Sequence, residues 1–379
     1  MTFTRSRQIV RPDRTRAPLD FSSSLYLGLR HPTRSLEPWE QLTAGAPAAL
    51  RVSSTVAPLQ DRLATLLGCV RATVAPSTLH IFWDLFVVLG GEAGAVVVDD
   101  GAYPIARWGV ERAAARGAMW RSFRHHDAEA LETELGAAAA RGRRPIVLVD
   151  GLCPMCGPAP LEAYRARVDQ FGGLLVIDDT QGLGILGERH PTCPFGIGGG
   201  GSARYQAIGG PNVVIGASLA KAFGVPMAVL AADAAVIRRF ERNAETRVHC
   251  SQPSVAAQRA GTRALDVNSA AGDALRAHLA GLIRRFRERA ADAGYRPRGP
   301  LFPVQTVVTG PHARSIQDRL RQAGVRSVLH KGHRGEMRLV FVVTASHRIA
   351  DLDAAAAALR RCREPRSGRP HAGSGRRLR

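Results

Sequence analysis

The chain has 379 residues, 45% of them apolar, and 52 basic against 32 acidic side chains give a formal net charge of +20. This is enough for two or three structural units with a sizeable core, and the composition excludes disordered, fibrous and small disulfide-stapled proteins. No apolar run approaches the ~20 residues of a membrane span, and the basic start at Arg5, Arg7 and Arg11 lacks the apolar stretch of a secretory signal, so a cytoplasmic protein with no membrane partner is expected.

In chain order, the segment before Ser54 carries turn signals and one helix-like piece near Glu37–Leu42, too little for a core of its own. It is expected to complete a smaller unit formed later in the chain. Four short runs follow, Ala95–Asp99, Pro145–Asp150, Leu174–Asp178 and Asn212–Gly216. Each has an apolar centre instead of an alternating pattern, as strands covered on both faces do. Helical patterns near Ile105–Ala115, Asp127–Arg141 and Leu161–Phe171 lie between them, and this alternation predicts an α/β domain around a mostly parallel sheet. A long helix over roughly Ser254–Ala293 changes the rhythm. Val304–Thr309, a helix at His312–Ala323, Met337–Val343 and a helix at Ile349–Cys362 then predict a smaller α+β unit. The expected division is an N-terminal segment (1–55), a large domain (56–247), a small domain (248–362) and a disordered basic tail (363–379).

The tail holds six arginines against one acid, 6 − 1 = +5, among Gly, Pro and Ser. Such charge attracts nucleic acid non-specifically, but no basic platform interleaved with aromatics is present, so a nucleic-acid partner is not expected. The six cysteines form no disulfide framework. Only Cys153-Pro154-Met155-Cys156 has a redox or metal half-site spacing, and no second CxxC or HxxxH completes four ligands, so no metal is assigned.

Lys221 is the most informative residue. The chain has only two lysines, Lys221 and Lys331, and a lysine kept amid so many arginines points to chemistry arginine cannot do, such as losing a proton and attacking a carbonyl. Gly216-Ala217-Ser218-Leu219-Ala220-Lys221 follows an apolar strand end, which places the amine at the carboxyl edge of the sheet, where open α/β folds bind ligands. Asp178 closes the apolar run Leu174-Leu175-Val176-Ile177. A carboxylate at a buried strand end is costly unless a cation meets it, and the protonated pyridine nitrogen of pyridoxal phosphate (PLP) is such a cation. Asp179 reads as a cap of the following turn.

Asp178, then Gln181, then Ser218-x-x-Lys221 resembles the fold-type I PLP enzymes, and among them most the α-oxoamine synthases. Tyr26-Leu27-Gly28-Leu29 is similar to their N-terminal YLGL. Asp150-Gly151-Leu152-x-x-Met155-x-Gly157 is similar to their DGxxSMxG, and Arg338 with Thr344-Ala345-Ser346-His347 to their C-terminal motif. The resemblance covers roughly Asp20 to Arg361. It implies an aspartate-aminotransferase-like fold with a seven-stranded sheet, PLP as cofactor, and a homodimer. By the same resemblance Lys221 forms the covalent link to the cofactor and moves the substrate α-proton, and Asp178 pairs with the ring nitrogen. Ser218, with the main-chain N–H groups of Thr78 and Leu79, holds the phosphate. Tyr103 stacks on the ring, Gln181 lies near the 3-oxygen, Ser251 reaches the partner's phosphate, and Arg338 holds the carboxylate of an α-amino acid.

Four positions depart from the family pattern. Tyr103 and Gln181 each stand where histidine is usual, Pro154 replaces a serine, and Pro47 stiffens the loop that ends at Arg51. Two reactions remain open. One is decarboxylative condensation of an α-amino acid with an acyl thioester to give an aminoketone. The other is an aminotransferase reaction with a keto acid, or related carbanion chemistry. A reading of a different class is a nucleic-acid-binding protein on a dead enzyme fold, against which both Lys221 and Asp178 argue. Whether Arg51, His80, His330 or His347 reaches the substrate is not legible at this stage.

Overall fold

The computed structural model describes residues 18–50, 54–91, 94–332 and 335–363. Arg51, the basic N-terminal arm and the tail after residue 363 lie outside the described residues. The central element is a seven-stranded sheet built from β1 (Arg71–Ala75), β2 (Gly94–Asp99), β3 (Met119–Phe123), β4 (Arg144–Asp150), β5 (Leu174–Asp178), β6 (Val213–Ser218) and β7 (Ala228–Ala232). Its spatial order is β1-β7-β6-β5-β4-β2-β3. Only β7 runs antiparallel to its neighbours, so all the other strands end at one edge. The four apolar runs of the sequence form β2, β4, β5 and β6. β3 is an edge strand with a mostly exposed centre, which is why it carries no apolar run.

Successive residues of a strand point to opposite faces, and the core divides accordingly. Val97, Val147, Leu175 and Ile215 face one apolar layer, shared with helices Val56–Leu67, Ala128–Ala139 and Leu161–Gln170. Val96, Val98, Leu148 and Val176 face the other, shared with helices Thr78–Gly90, Pro104–Ala115 and Ala234–Asn243. This is a three-layer arrangement with both sheet faces dry, the condition under which parallel strands occur.

A 38-residue helix, Val255–Asp292, capped by Ser254 accepting from the Ala257 N–H, packs against both helix Val56–Leu67 and the C-terminal part. There a four-stranded antiparallel sheet forms in the order Pro297–Arg298, Val304–Val307, Met337–Val342, Val328–Lys331, with helices Ala313–Gln322 and Ile349–Arg363. The N-terminal segment joins it: Leu19–Asp20 pairs with Val325–Arg326, and Phe21 packs on Phe286, Phe341 and the His347 ring. Two distant sequence motifs meet here. The Ala345 N–H donates to the Tyr26 carbonyl, and Gly28, with φ +68, turns the chain where a Cβ would stand 3.0 Å from Ser346.

The helix expected near Glu37–Leu42 does not form. The segment is too short to hold a helix without packing and Leu42 is exposed; Glu37 instead pairs with Arg259. Among the described residues, no helix is long and apolar enough to cross a membrane.

Candidate active site

The edge where the parallel strands end collects the chemistry. Asp99, Asp150, Asp178 and Ser218 terminate β2, β4, β5 and β6. Asp150, Asp178 and Gly216 stand side by side in one row across three strands, and Ser218, Ala228 and Ala75 in another. The turn after β1, and with it the start of helix Thr78–Gly90, therefore rises from the same edge as Ser218.

Lys221 follows Ser218 in the turn between β6 and β7. Burial pushes its amine below the usual lysine range, and the charges of Asp178 and Asp150 oppose that shift. Asp178 is only 6% exposed. Burial raises its pKa, countered by hydrogen bonds from Thr180, whose N–H donates to Oδ1 at 3.0 Å, and by the Lys221 charge. Asp150 is raised well above the carboxylate range, first by burial and then by Asp178 beside it. Two adjacent buried carboxyls do not both ionise readily. Asp178 is the one more favoured to ionise, because Thr180 donates to it and the Lys221 charge opposes the effect of its burial.

The other residues expected from the sequence extend from this centre. The Tyr103 N–H donates to Asp150 Oδ1 at 3.1 Å, and its ring, 58% exposed, stands at the sheet edge. The Ser218 N–H donates to Thr180 Oγ1 at 3.0 Å, joining β5 to β6, while its hydroxyl accepts from the Ala220 N–H at 3.2 Å. The Gln181 side chain accepts from the buried Tyr26 hydroxyl at 2.7 Å. Thr78 and Leu79 open their helix without a side-chain cap, since the Ser77 hydroxyl is engaged with His80 Nδ1 at 2.9 Å. First-turn amides left in that way are ready donors to an anion.

Two expected residues lie on other elements. Ser251 is exposed and bridges to Pro47. Arg338, on the small sheet, directs its guanidinium to Glu336, with Nε to Oε1 at 2.8 Å. His347 is structural, stacked on Phe21 and bonded to the Asp20 carbonyl at 3.0 Å. Asp179 does not cap a turn: fully buried, it accepts from the Ser202 N–H at 2.7 Å and hydroxyl at 2.6 Å. The sequence reading assigned no role to Asp150 or Thr180. The signal for Asp150 was available, since it closes an apolar strand as Asp178 does, whereas Thr180 matters only through a cross-strand contact.

Comparison with known proteins agrees with this fold. The family described as "Aminotransferase class I and II" matches residues 57–359. A serine palmitoyltransferase from S. paucimobilis, solved with bound PLP–myriocin aldimine, superposes with a TM-score of 0.79 at 16% identity, over 90% of this chain and 86% of that one. The serine palmitoyltransferase of Sphingomonas wittichii gives 0.76 at 18% identity, over 90% and 87%. The 8-amino-7-oxononanoate synthase of Francisella tularensis gives 0.71 at 16%, over 91% and 97%. The chain thus has the aminotransferase-like α/β fold of these proteins.

Proposed function

The chain belongs to the aminotransferase class I and II family, and from that membership we propose that it is a PLP-dependent transferase acting on an α-amino acid, with decarboxylative acyl condensation as its reaction. The observation that carries this reading is the buried row at the sheet edge, where Lys221 meets Asp178 and Asp150. A buried carboxylate faced by a lysine whose own charge is disfavoured by burial suits a cofactor that brings a protonated ring nitrogen. Bound PLP supplies the electron sink that makes loss of the α-proton accessible.

The chain's own residues divide the remaining work. The Lys221 amine, depressed by burial, exists as a free base more readily than a surface lysine and can both bond to a carbonyl carbon and carry the α-proton. Asp178 holds negative charge against a ring cation. Ser218 and the amides of Thr78 and Leu79 offer donors to the phosphate, and the exposed Tyr103 ring offers a stacking face. Arg338, now paired with Glu336, exchanges that carboxylate for the substrate's. Overall, an α-amino acid, an acyl thioester and a proton give an aminoketone, carbon dioxide and the free thiol.

The names of the solved neighbours, a serine palmitoyltransferase and an 8-amino-7-oxononanoate synthase, support the acyl step. A homodimer is part of the reading: Leu42, Leu50 at 80% exposure and Val248 are exposed apolar side chains on the two segments joined by the Pro47–Ser251 bridge, and Ser251 is the serine assigned to the partner's phosphate. Six free thiols suit a reducing, cytoplasmic setting.

The test is release of carbon dioxide from carboxyl-labelled amino acids by PLP-loaded protein, with and without acyl thioester. Release that requires the thioester, with an aminoketone product, supports the proposal. Formation of a keto acid from the amino acid alone, reversed by a second keto acid, replaces it with the aminotransferase reading, which the aromatic Tyr103 and the amide Gln181 also accommodate.

A further inference from the structure

The Cys153–Cys156 pair, two ligands short of a metal site in the sequence, acquires a third in the fold. Leu152–Cys153 pairs with Gly157–Pro158 as a tight hairpin, so the two cysteines flank one turn, and the Cys156 N–H contacts Cys153 Sγ at 3.4 Å. His125 arrives from another part of the chain, two residues beyond β3. A ring nitrogen of His125 and the two Sγ atoms all lie within 4.8 Å of one another.

The imidazole is held as a metal-ligating histidine is held. Its Nδ1 is 2.6 Å from Asp99 Oδ1, and Asp99, 1% exposed, is itself fixed by the N–H groups of Gly101 at 2.7 Å and His126 at 3.3 Å. That leaves Nε2, which is buried and has no hydrogen-bond partner. A carboxylate on one ring nitrogen and a cation on the other is the usual outer-partner arrangement at metal sites. The local backbone is shaped around this ring. A Cβ at position 101 would run into it, and His126 adopts φ +59, a left-handed conformation that costs a non-glycine residue on the order of 1 kcal/mol.

We infer that His125, Cys153 and Cys156 form a binding site for a zinc-class divalent cation, with Asp99 orienting the histidine and the fourth position open to water on the exposed side of Cys156. Two thiolates and an imidazole are the donor set that zinc prefers, and three protein ligands leave one position of a tetrahedron free. Zinc–ligand lengths of ~2.0–2.3 Å imply donor separations of ~3.3–3.8 Å, so the three atoms close by on the order of 1 Å. Each thiol releases its proton to solvent as its sulfur bonds the cation. The ion ties the connection after β3 to the hairpin after β4, which begins just past Asp150. The inference uses neither Lys221 nor PLP, and it stands or falls separately from the proposed reaction.

The test is a titration of the full-length protein, stripped by chelator under reducing conditions, with cobalt(II) as probe. One cobalt per chain is expected, with a thiolate-to-cobalt charge-transfer band and the visible bands of tetrahedral cobalt, both abolished by competing zinc. Cys156→Ser, at an exposed position, loses the charge-transfer intensity of one thiolate and binds at least tenfold more weakly. Cys69→Ser leaves the titration unchanged, and Asp99→Asn keeps the bands but weakens binding ~10–100-fold. Absence of a thiolate–cobalt band, or equal affinity in Cys156→Ser, overturns the site.

Discussion

Asp150 and Asp178 are register partners at the ends of adjacent parallel strands, and the same two carboxyls are the charges that act on the Lys221 amine. The pairing is a consequence of topology, since parallel strands deliver their last residues to one edge. It also separates the two groups electrostatically, because Thr180 donates to Asp178 while Asp150 receives the Tyr103 N–H against repulsion from Asp178, Asp99 and Cys153.

Lys221→Ala is expected to abolish the visible band of lysine-linked cofactor and to lower turnover by ~10²–10⁴-fold from lost proton transfer alone. Asp178→Asn should leave the fold intact and reduce turnover with the cofactor still bound, since an amide cannot hold a ring cation. Absorbance and steady-state kinetics measure both, and normal turnover in the lysine variant would falsify the site assignment.

The stability of the protein should fall as pH rises through the range set by Asp179. Burial pushes this carboxyl up to about 7, against 3.8 for the unperturbed group. Between those values the native state binds more protons than the unfolded chain, so the contribution is full below about 3.8 and lost as pH climbs through about 7, with a slope of up to ~1.4 kcal/mol per pH unit. Asp179→Asn can still accept from the Ser202 N–H and donate to its hydroxyl. Thermal melts across this range should show a flatter curve for the variant; parallel curves would show that Asp179 does not titrate there.

Tyr26→Phe removes the 2.7 Å hydrogen bond that ties the N-terminal segment to Gln181, 155 positions away. Leaving the Gln181 oxygen without that donor should cost about 1–3 kcal/mol of stability. A lowered melting temperature together with a changed KM would mean that the link positions Gln181. A lowered melting temperature alone would make it a packing contact.

Arg338→Ala should weaken binding of any α-carboxylate substrate by ~2–5 kcal/mol if that carboxylate is a buried, hydrogen-bonded partner. Glu336→Gln removes the carboxylate now occupying the guanidinium and should lower KM for the amino acid. Unchanged KM in both variants would place carboxylate recognition elsewhere.

Much of the seven-stranded sheet was legible because its inner strands are buried on both faces and so carry continuous apolar runs, as in Leu174–Ile177. The edge strand Met119–Phe123 was not, since exposure removes that signature. The Glu37–Leu42 piece shows the converse error: a local helical pattern forms no helix, and its Leu42 is left exposed. Asp179 was misread for a similar reason, its partner Ser202 lying 23 positions away.

By itself the sequence singled out the residue types: a lysine kept among arginines, an aspartate closing an apolar strand, and two cysteines three positions apart with no further ligand. Only the tertiary structure decided what stands beside them. Asp150 joined Asp178 and Lys221, Tyr26 reached Gln181, Glu336 occupied Arg338, and His125 with Asp99 came to Cys153 and Cys156. Residue type and spacing encode local preference, whereas burial, charge and ligand geometry depend on neighbours brought together by strand order and register.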